Sequence, residues 1–174
     1  MAAPPEILEL SVEPVSRAGF APFGDLIEAD DAAAFDTINA GTTRRFTDLT
    51  RIRLSDDAQA SVHIYRAAAV REPIELRQLE RHPYGSQLFM PLQGQAFIAV
   101  VADGTDSPAP NTLRAFLVSG GRGINLGPGI WHHPLLSLAG ADFLVVERAD
   151  PARNLEEHAL SAPLRLALPQ GIVS

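Results

Sequence analysis

The chain has 174 residues, enough for one domain with its own hydrophobic core. It contains no cysteine, which excludes disulfides, thiol nucleophiles and thiolate metal sites, and no lysine, all fourteen basic residues being arginine, which excludes Schiff-base chemistry on a lysine amine. A formal net charge of −7 with no basic run argues against a nucleic-acid partner, and no apolar run approaches the roughly 20 residues of a membrane helix.

Residues 1–6 have neither a basic start nor a hydrophobic signal core, so a cytoplasmic protein is expected. Residues 7–12 predict a first strand, residues 16–20 one helical turn, and Phe23-Gly24-Asp25 leads into a short strand through Ile27. Residues 29–34, acidic and alanine-rich, predict a surface loop or short helix. In residues 61–66, Val62, Ile64 and Arg66 alternate with Ser61, His63 and Tyr65; in residues 74–79, Ile74, Leu76 and Gln78 alternate with Glu75, Arg77 and Leu79. That period of two fits antiparallel strands with one face in a core. Strands at 87–92 and 95–102 flank Gln93-Gly94, which reads as a tight turn. Residues 96–101 are continuously apolar, as in a strand buried on both faces. A polar loop at 103–111 precedes strands at 113–118, 124–126, 135–138 and 141–147. From Pro151 the tail starts as a helical turn, and Leu164, Leu166 and Leu168 then alternate as in an added edge strand. Many short strands punctuated by 13 Gly and 14 Pro indicate a single all-β domain over residues 1–174, either a sandwich or a barrel.

The choice between them comes from two motifs. Glu80-Arg81-His82 is followed by four residues, Gln87, six residues and Gly94. Downstream, Gly121 is followed by five residues, Gly127-Pro128-Gly129, two residues and His132. This resembles the pair of cupin motifs, with Glu80 at the first His position and Gln87 at the Glu position of the first. In the second, Gly127 stands at the Pro position and Leu136 at the final Asn position. The resemblance implies a cupin-like antiparallel β-barrel (a double-stranded β-helix, or jelly roll) with a few short helical turns. Glu80 and His82, two apart on a strand, project to one face. Gln87 and His132 can join them from other strands. Imidazole nitrogens with carboxylate and amide oxygens suit a divalent Ni, Mn, Fe or Zn ion.

A wider block is more specific. Glu80-Arg81-His82-Pro83, Gln87, Phe89, Pro91, Gly94, then Leu113-Arg114-Ala115-Phe116, then Trp131-His132-His133-Pro134-Leu135 resembles the ureidoglycolate lyase family. Upstream, Phe23-Gly24-Asp25, Ile27-Glu28, Ile38-Asn39, Gly41, Arg45 and Asp48-Leu49 extend the likeness, which covers about residues 7–150 and leaves 151–174 as a C-terminal extension. Phe46, at a step often held by an aromatic hydroxyl, and Thr37, at a step held by histidine, depart from the pattern.

The resemblance implies cleavage of ureidoglycolate to glyoxylate and urea in allantoin degradation, by a homodimer associated with nickel. Expelling urea requires a base for the hydroxyl proton, an acid for the departing nitrogen and a grip on the carboxylate. No redox cofactor or nucleotide is needed. Glu80, His82, Gln87 and His132 are the expected metal ligands, and Glu80, His82, His132 and His133 the expected catalytic groups. Asn39, Arg45, Gln87 and Trp131 are assigned to the substrate, packing being the other reading of Trp131. His63 is read as core or surface packing, and His158, in a charged tail, as having no part in the chemistry. The other classes are a metal-dependent cupin isomerase or dioxygenase and a non-catalytic ligand-binding cupin.

Overall fold

The computed structural model describes residues 7–32 and 34–171; residues 1–6, read above for a leader, and Ala33, within the expected loop or short helix, lie outside them. The elements in order are β1 (Leu8–Pro14), a one-turn helix α1 (Arg17–Phe20), β2 (Gly24–Ile27), β3 (Asp36–Ile38), β4 (Thr43–Arg45), β5 (Ala60–Ala67), β6 (Glu75–Arg81), β7 (Gln87–Pro91), β8 (Phe97–Ala102), β9 (Arg114–Val118), β10 (Gly123–Leu126), β11 (Trp131–His132), β12 (Leu136–Ser137), β13 (Ala141–Arg148) and β14 (Glu156–Ala167). Helix α1 starts where Ser16 caps it, the serine hydroxyl accepting from the Gly19 N–H at 3.1 Å.

The barrel is closed. Strands run β11-β6-β14-β1-β9-β8, and β11 pairs with β8 as well, so six strands form a ring, with β12 added alongside β8. A second sheet of five strands runs β2-β10-β7-β13-β5, and β3 pairs with β4 in a separate hairpin. Most pairs are antiparallel as expected, but β1 runs parallel to both its neighbours, β14 and β9, which makes the barrel mixed.

Two apolar cores follow from this. Alternate residues of the ring, including Val12, Leu76, Val100, Ala115, Trp131 and Leu164, form one. Residues such as Phe89, Phe97, Val101, Phe116, Ile124 and Phe143 form the other, between β8–β9 and the five-stranded sheet. β8 contributes alternately to both cores, the physical reason its sequence is apolar without interruption. Phe97 meets Phe143 edge to face at a centroid distance of 5.3 Å. Burying each such ring contributes roughly 1.5–3 kcal/mol.

Three expectations change. β7 and β8 do not pair: the turn at Gln93-Gly94 is a corner that carries the chain from the five-stranded sheet to the ring, with Gly94 at φ +77°. β14 is no edge strand, because it lies between β6 and β1 and completes the ring. On β5 the apolar face points outward, leaving Val62 and Ile64 exposed, while β13 covers the strand on one side.

Candidate functional site

Glu80 lies on β6 directly opposite His132 on β11, and His82 follows β6 by one residue. Neighbouring residues of a strand face opposite ways, so Leu79 and Trp131 enter the ring core while Glu80 and His132 face the five-stranded sheet. The cluster that results brings one atom each of Glu80, His82 and His132 within 4.8 Å of one another. Gln87 comes from the inward row of β7, which continues with Phe89 and Pro91. Thus Glu80, His82 and Gln87 line one cavity of about 610 Å³, with Phe89 and Leu135 among its other walls, and His132 stands beside Glu80 in the cluster. That size suits a small molecule.

The orientation of each imidazole is set by the backbone. His82 Nδ1 lies 2.6 Å from the Asn154 carbonyl and His132 Nδ1 lies 2.9 Å from the Ile130 carbonyl. A carbonyl only accepts, so both Nδ1 atoms carry the proton and donate it. The two Nε2 lone pairs are then turned into the cluster, 3.9 Å and 3.6 Å from Glu80 Oε1. His82 Nε2, His132 Nε2 and Gln87 Oε1 are buried and have no hydrogen-bond partner among the described residues. Leaving buried polar atoms unpaired costs about 1–3 kcal/mol each. Several acceptors converging with no donor among them are what a cation, or a ligand rich in N–H and O–H groups, would satisfy.

Protonation runs the same way. Burial pulls His132 down to about 3, helped by the neighbouring His82, so its ring stays neutral and its lone pair free. Burial also pushes Glu80 above the usual carboxylate range, opposed by His82 and reinforced by Glu157 and Glu147. The residues therefore fit a divalent ion: two imidazoles held through Nδ1 with Nε2 turned inward, one carboxylate and one amide oxygen.

Two groups of the site were not singled out by sequence. Glu147, buried at the end of the inward row Ala141-Phe143-Val145 on β13, accepts from Gln87 Nε2 at 2.8 Å and from the Tyr65 hydroxyl at 2.8 Å. Burial and the Glu147 contact hold the Tyr65 hydroxyl above its ordinary value, keeping it a donor. A carboxylate placed on the apolar face of an alternating strand is the signal that marks Glu147. The second group is Asn154, in the turn Pro151–Asn154 of the stretch set apart as an extension. Its carbonyl orients His82 and its side-chain oxygen accepts from the Tyr84 N–H at 2.7 Å.

Four expected site residues lie elsewhere. Trp131 is 2% exposed within the ring core, with Arg81 over its ring at 4.6 Å, so it packs on the face opposite to the one that carries its neighbour His132 into the cluster. His133 is outside the cluster, its Nδ1 turned to the Pro134 carbonyl at 2.8 Å. Asn39 and Arg45 sit on the exposed β3–β4 hairpin, which forms no part of the cavity wall. Arg45 is paired with Asp36 at 2.9 Å, and Asn39 donates to Thr43 at 3.3 Å.

Comparison with known proteins gives one consistent pattern. The sequence profile of the family described as Ureidoglycolate lyase matches residues 7–167, which takes in β14 and the Asn154 turn. A ureidoglycolate lyase of Azotobacter vinelandii is 44% identical over 161 residues, 91% of this chain and 96% of that protein. Those of Pseudomonas fluorescens and Burkholderia mallei are 45% and 46% identical, covering 91% and 90% of this chain and 96% and 92% of those proteins.

Proposed function

The chain belongs to the ureidoglycolate lyase family, and from that premise we propose that it cleaves ureidoglycolate to glyoxylate and urea at the Glu80–His82–Gln87–His132 cluster. The observation that carries the reading is the set of buried, unpartnered acceptors on His82, Gln87 and His132 at and beside a small cavity, at the positions where the family pattern is densest. We place the activity in allantoin degradation, in the cytoplasm; no described helix is long and apolar enough to cross a membrane.

His82, His132, Gln87 and one oxygen of Glu80 are the residues that would hold a divalent ion, nickel being our assignment. When bound, such an ion acts as a Lewis acid, polarising an oxygen of the substrate and easing loss of its proton. The chain's own groups do the rest. Oε1 of Glu80 lies among the imidazoles, which leaves Oε2 to take the substrate hydroxyl proton as the C=O bond forms and the C–N bond breaks. The same oxygen then returns that proton to the departing ureido nitrogen, so the products are glyoxylate and neutral urea. Burial holds Glu80 above the usual carboxylate range, which makes it a better proton acceptor than an ordinary carboxylate. Phe89, Leu135 and Leu155 wall the cavity with apolar surface, which lowers water access to the reacting centre.

The membership also carries the expectation of a homodimer. Val62 and Ile64, exposed on the edge strand β5, support an apolar contact with a second copy. Sedimentation should then give twice the chain mass of 18.7 kDa, and a monomer at micromolar concentration would count against it.

The activity is tested by supplying ureidoglycolate and measuring urea, glyoxylate and ammonia together. Urea and glyoxylate should appear in equal amounts without ammonia. Ammonia in place of urea would mean hydrolysis of the ureido group, and no product above the uncatalysed rate would remove the assignment.

A further inference from the structure

The Gln87 amide is the one member of the cluster whose usefulness depends on which way round it stands. With Oε1 inward it adds a fourth acceptor to Glu80, His82 and His132. With Nε2 inward it would present two N–H donors to a cation. Resting on the metal-dependent reading above, we propose that Glu147 is a positioning residue that locks the Gln87 amide with its oxygen, not its nitrogen, toward the cluster.

The geometry carries this. Glu147 Oε2 is 2.8 Å from Gln87 Nε2, and both side chains are buried, Glu147 at 3% and Gln87 at 5% exposure. A carboxylate oxygen accepts, so the amide must turn its nitrogen to Glu147. The oxygen is thereby committed to the other side, where it has no partner among the described residues. The second oxygen of Glu147 is occupied by the Tyr65 hydroxyl, so the carboxyl cannot rotate away without losing a second hydrogen bond. The strands fix the meeting. Val146 of β13 stands opposite Leu88 of β7, and one step further along the same ladder lie Glu147 and Gln87. At a position where a cupin pattern has a carboxylate, this chain divides the job. Gln87 supplies the oxygen, and Glu147, one strand away, supplies the charge that aims it.

The test is a swap. In Glu147→Gln the new amide can donate to Gln87 Oε1, which pulls the oxygen out of the cluster. Outer-shell changes of this kind typically cost roughly 10–100-fold in metal affinity or activity, and a loss in that range is expected both in Ni²⁺ affinity of chelator-stripped protein and in kcat/KM for ureidoglycolate. Gln87→Glu alone sets two carboxylates against each other and should also be impaired. The double variant Gln87→Glu/Glu147→Gln restores one carboxylate and one amide, with their places exchanged. The carboxylate at position 87 would then accept from the amide at position 147 with one oxygen and face the cluster with the other. Recovery of most of that roughly 10–100-fold loss in Ni²⁺ affinity is expected. A merely structural role for Glu147 would not be rescued by moving the charge across to position 87.

Unchanged Ni²⁺ affinity and kcat/KM in Glu147→Gln would overturn the proposal, and so would a double variant no better than Gln87→Glu. If Glu147→Gln does not fold, the comparison of Gln87→Glu with the double variant still decides. Failure of the natural protein to release urea would sink the assigned activity and not this inference, because the ranking of Ni²⁺ affinities needs no substrate.

Discussion

The Glu80–His82–His132 cluster and the β3–β4 hairpin both carry residues that the family pattern marks, yet they are built in opposite ways. In the cluster the side chains are mostly buried, the rings are fixed by backbone carbonyls, and the acceptors face one another unanswered. On the hairpin every charge that matters is answered at the surface, Arg44 by Asp31 and Arg45 by Asp36, with all four side chains more than half exposed. Exposed pairs of this kind contribute only about 0–1 kcal/mol. The difference shows where chemistry is concentrated: in groups whose hydrogen-bonding capacity the fold leaves unmet, not in every residue of a suitable type.

The strongest way to break that contrast is His82→Ala. Removing one of the two aimed imidazoles should lower urea release by ~10²–10⁴-fold, the range of a positioned catalytic group, in protein shown to be folded by circular dichroism. Turnover within a few fold of the natural protein would take His82 out of the mechanism. Trp131, next to His132 in sequence but on the other face, should behave differently. Trp131→Ala should cost about 3–5 kcal/mol in denaturant unfolding, as for a large aromatic deleted from a core. Trp131→Phe should keep the KM for ureidoglycolate near that of the natural protein. A large KM increase in the phenylalanine variant would reopen a substrate contact for Trp131.

The cluster should also make metal-free protein sensitive to acid. Unfolded His132 takes up a proton near its ordinary 6.5, whereas the folded residue resists until about 3. The unfolded state therefore binds more protons across that window, and stability present above 6.5 is lost as pH falls toward 3. Glu80 works in the opposite sense: its folded value is raised, so its contribution is present below the ordinary carboxylate value and lost as pH rises through the raised one. The His132 shift is the larger, so denaturant unfolding of stripped protein should show lower stability at about pH 5 than at about pH 7.5. The loss should be reduced in His132→Asn. Equal pH dependence in the two proteins would contradict the buried neutral imidazole.

The smallest effect is expected on the hairpin. Arg45→Ala should change stability by less than about 1 kcal/mol, as for a surface ion pair, with kcat/KM for ureidoglycolate little altered. A hundredfold loss of kcat/KM would show that the hairpin reaches a site after all.

Much of this was legible in the sequence, for identifiable reasons. Period-two alternation marked β5 and β6, and the continuous apolar run at Phe97–Ala102 marked a strand walled by two cores. The motif spacing brought out Glu80, His82, Gln87 and His132, because two-residue periodicity running from β6 into the residue after it and a single cross-strand pair with β11 are enough to join three of them. Sheet membership was not legible. A turn glycine looks the same at a hairpin and at a corner between sheets, so the separation of β7 from β8 could not be read. Nor could the place of β14, whose alternating leucines fit an edge or an interior strand equally well until its pairing with both β6 and β1 is known. The same gap hid Asn154, which acts through its backbone carbonyl, a group every residue has. Glu147 carried a readable sign, a carboxylate in phase with Ala141, Phe143 and Val145, but its partner Gln87 lies 60 residues away.

The most direct measurement is a titration of chelator-stripped protein with Ni²⁺, reading bound metal and urea release in the same samples. Both should start near zero and rise together, reaching a plateau at one ion per chain, with His132→Ala showing neither rise. Full urea release before any metal is added, or metal uptake that leaves the release rate unchanged, would contradict a metal-dependent lyase at this cluster.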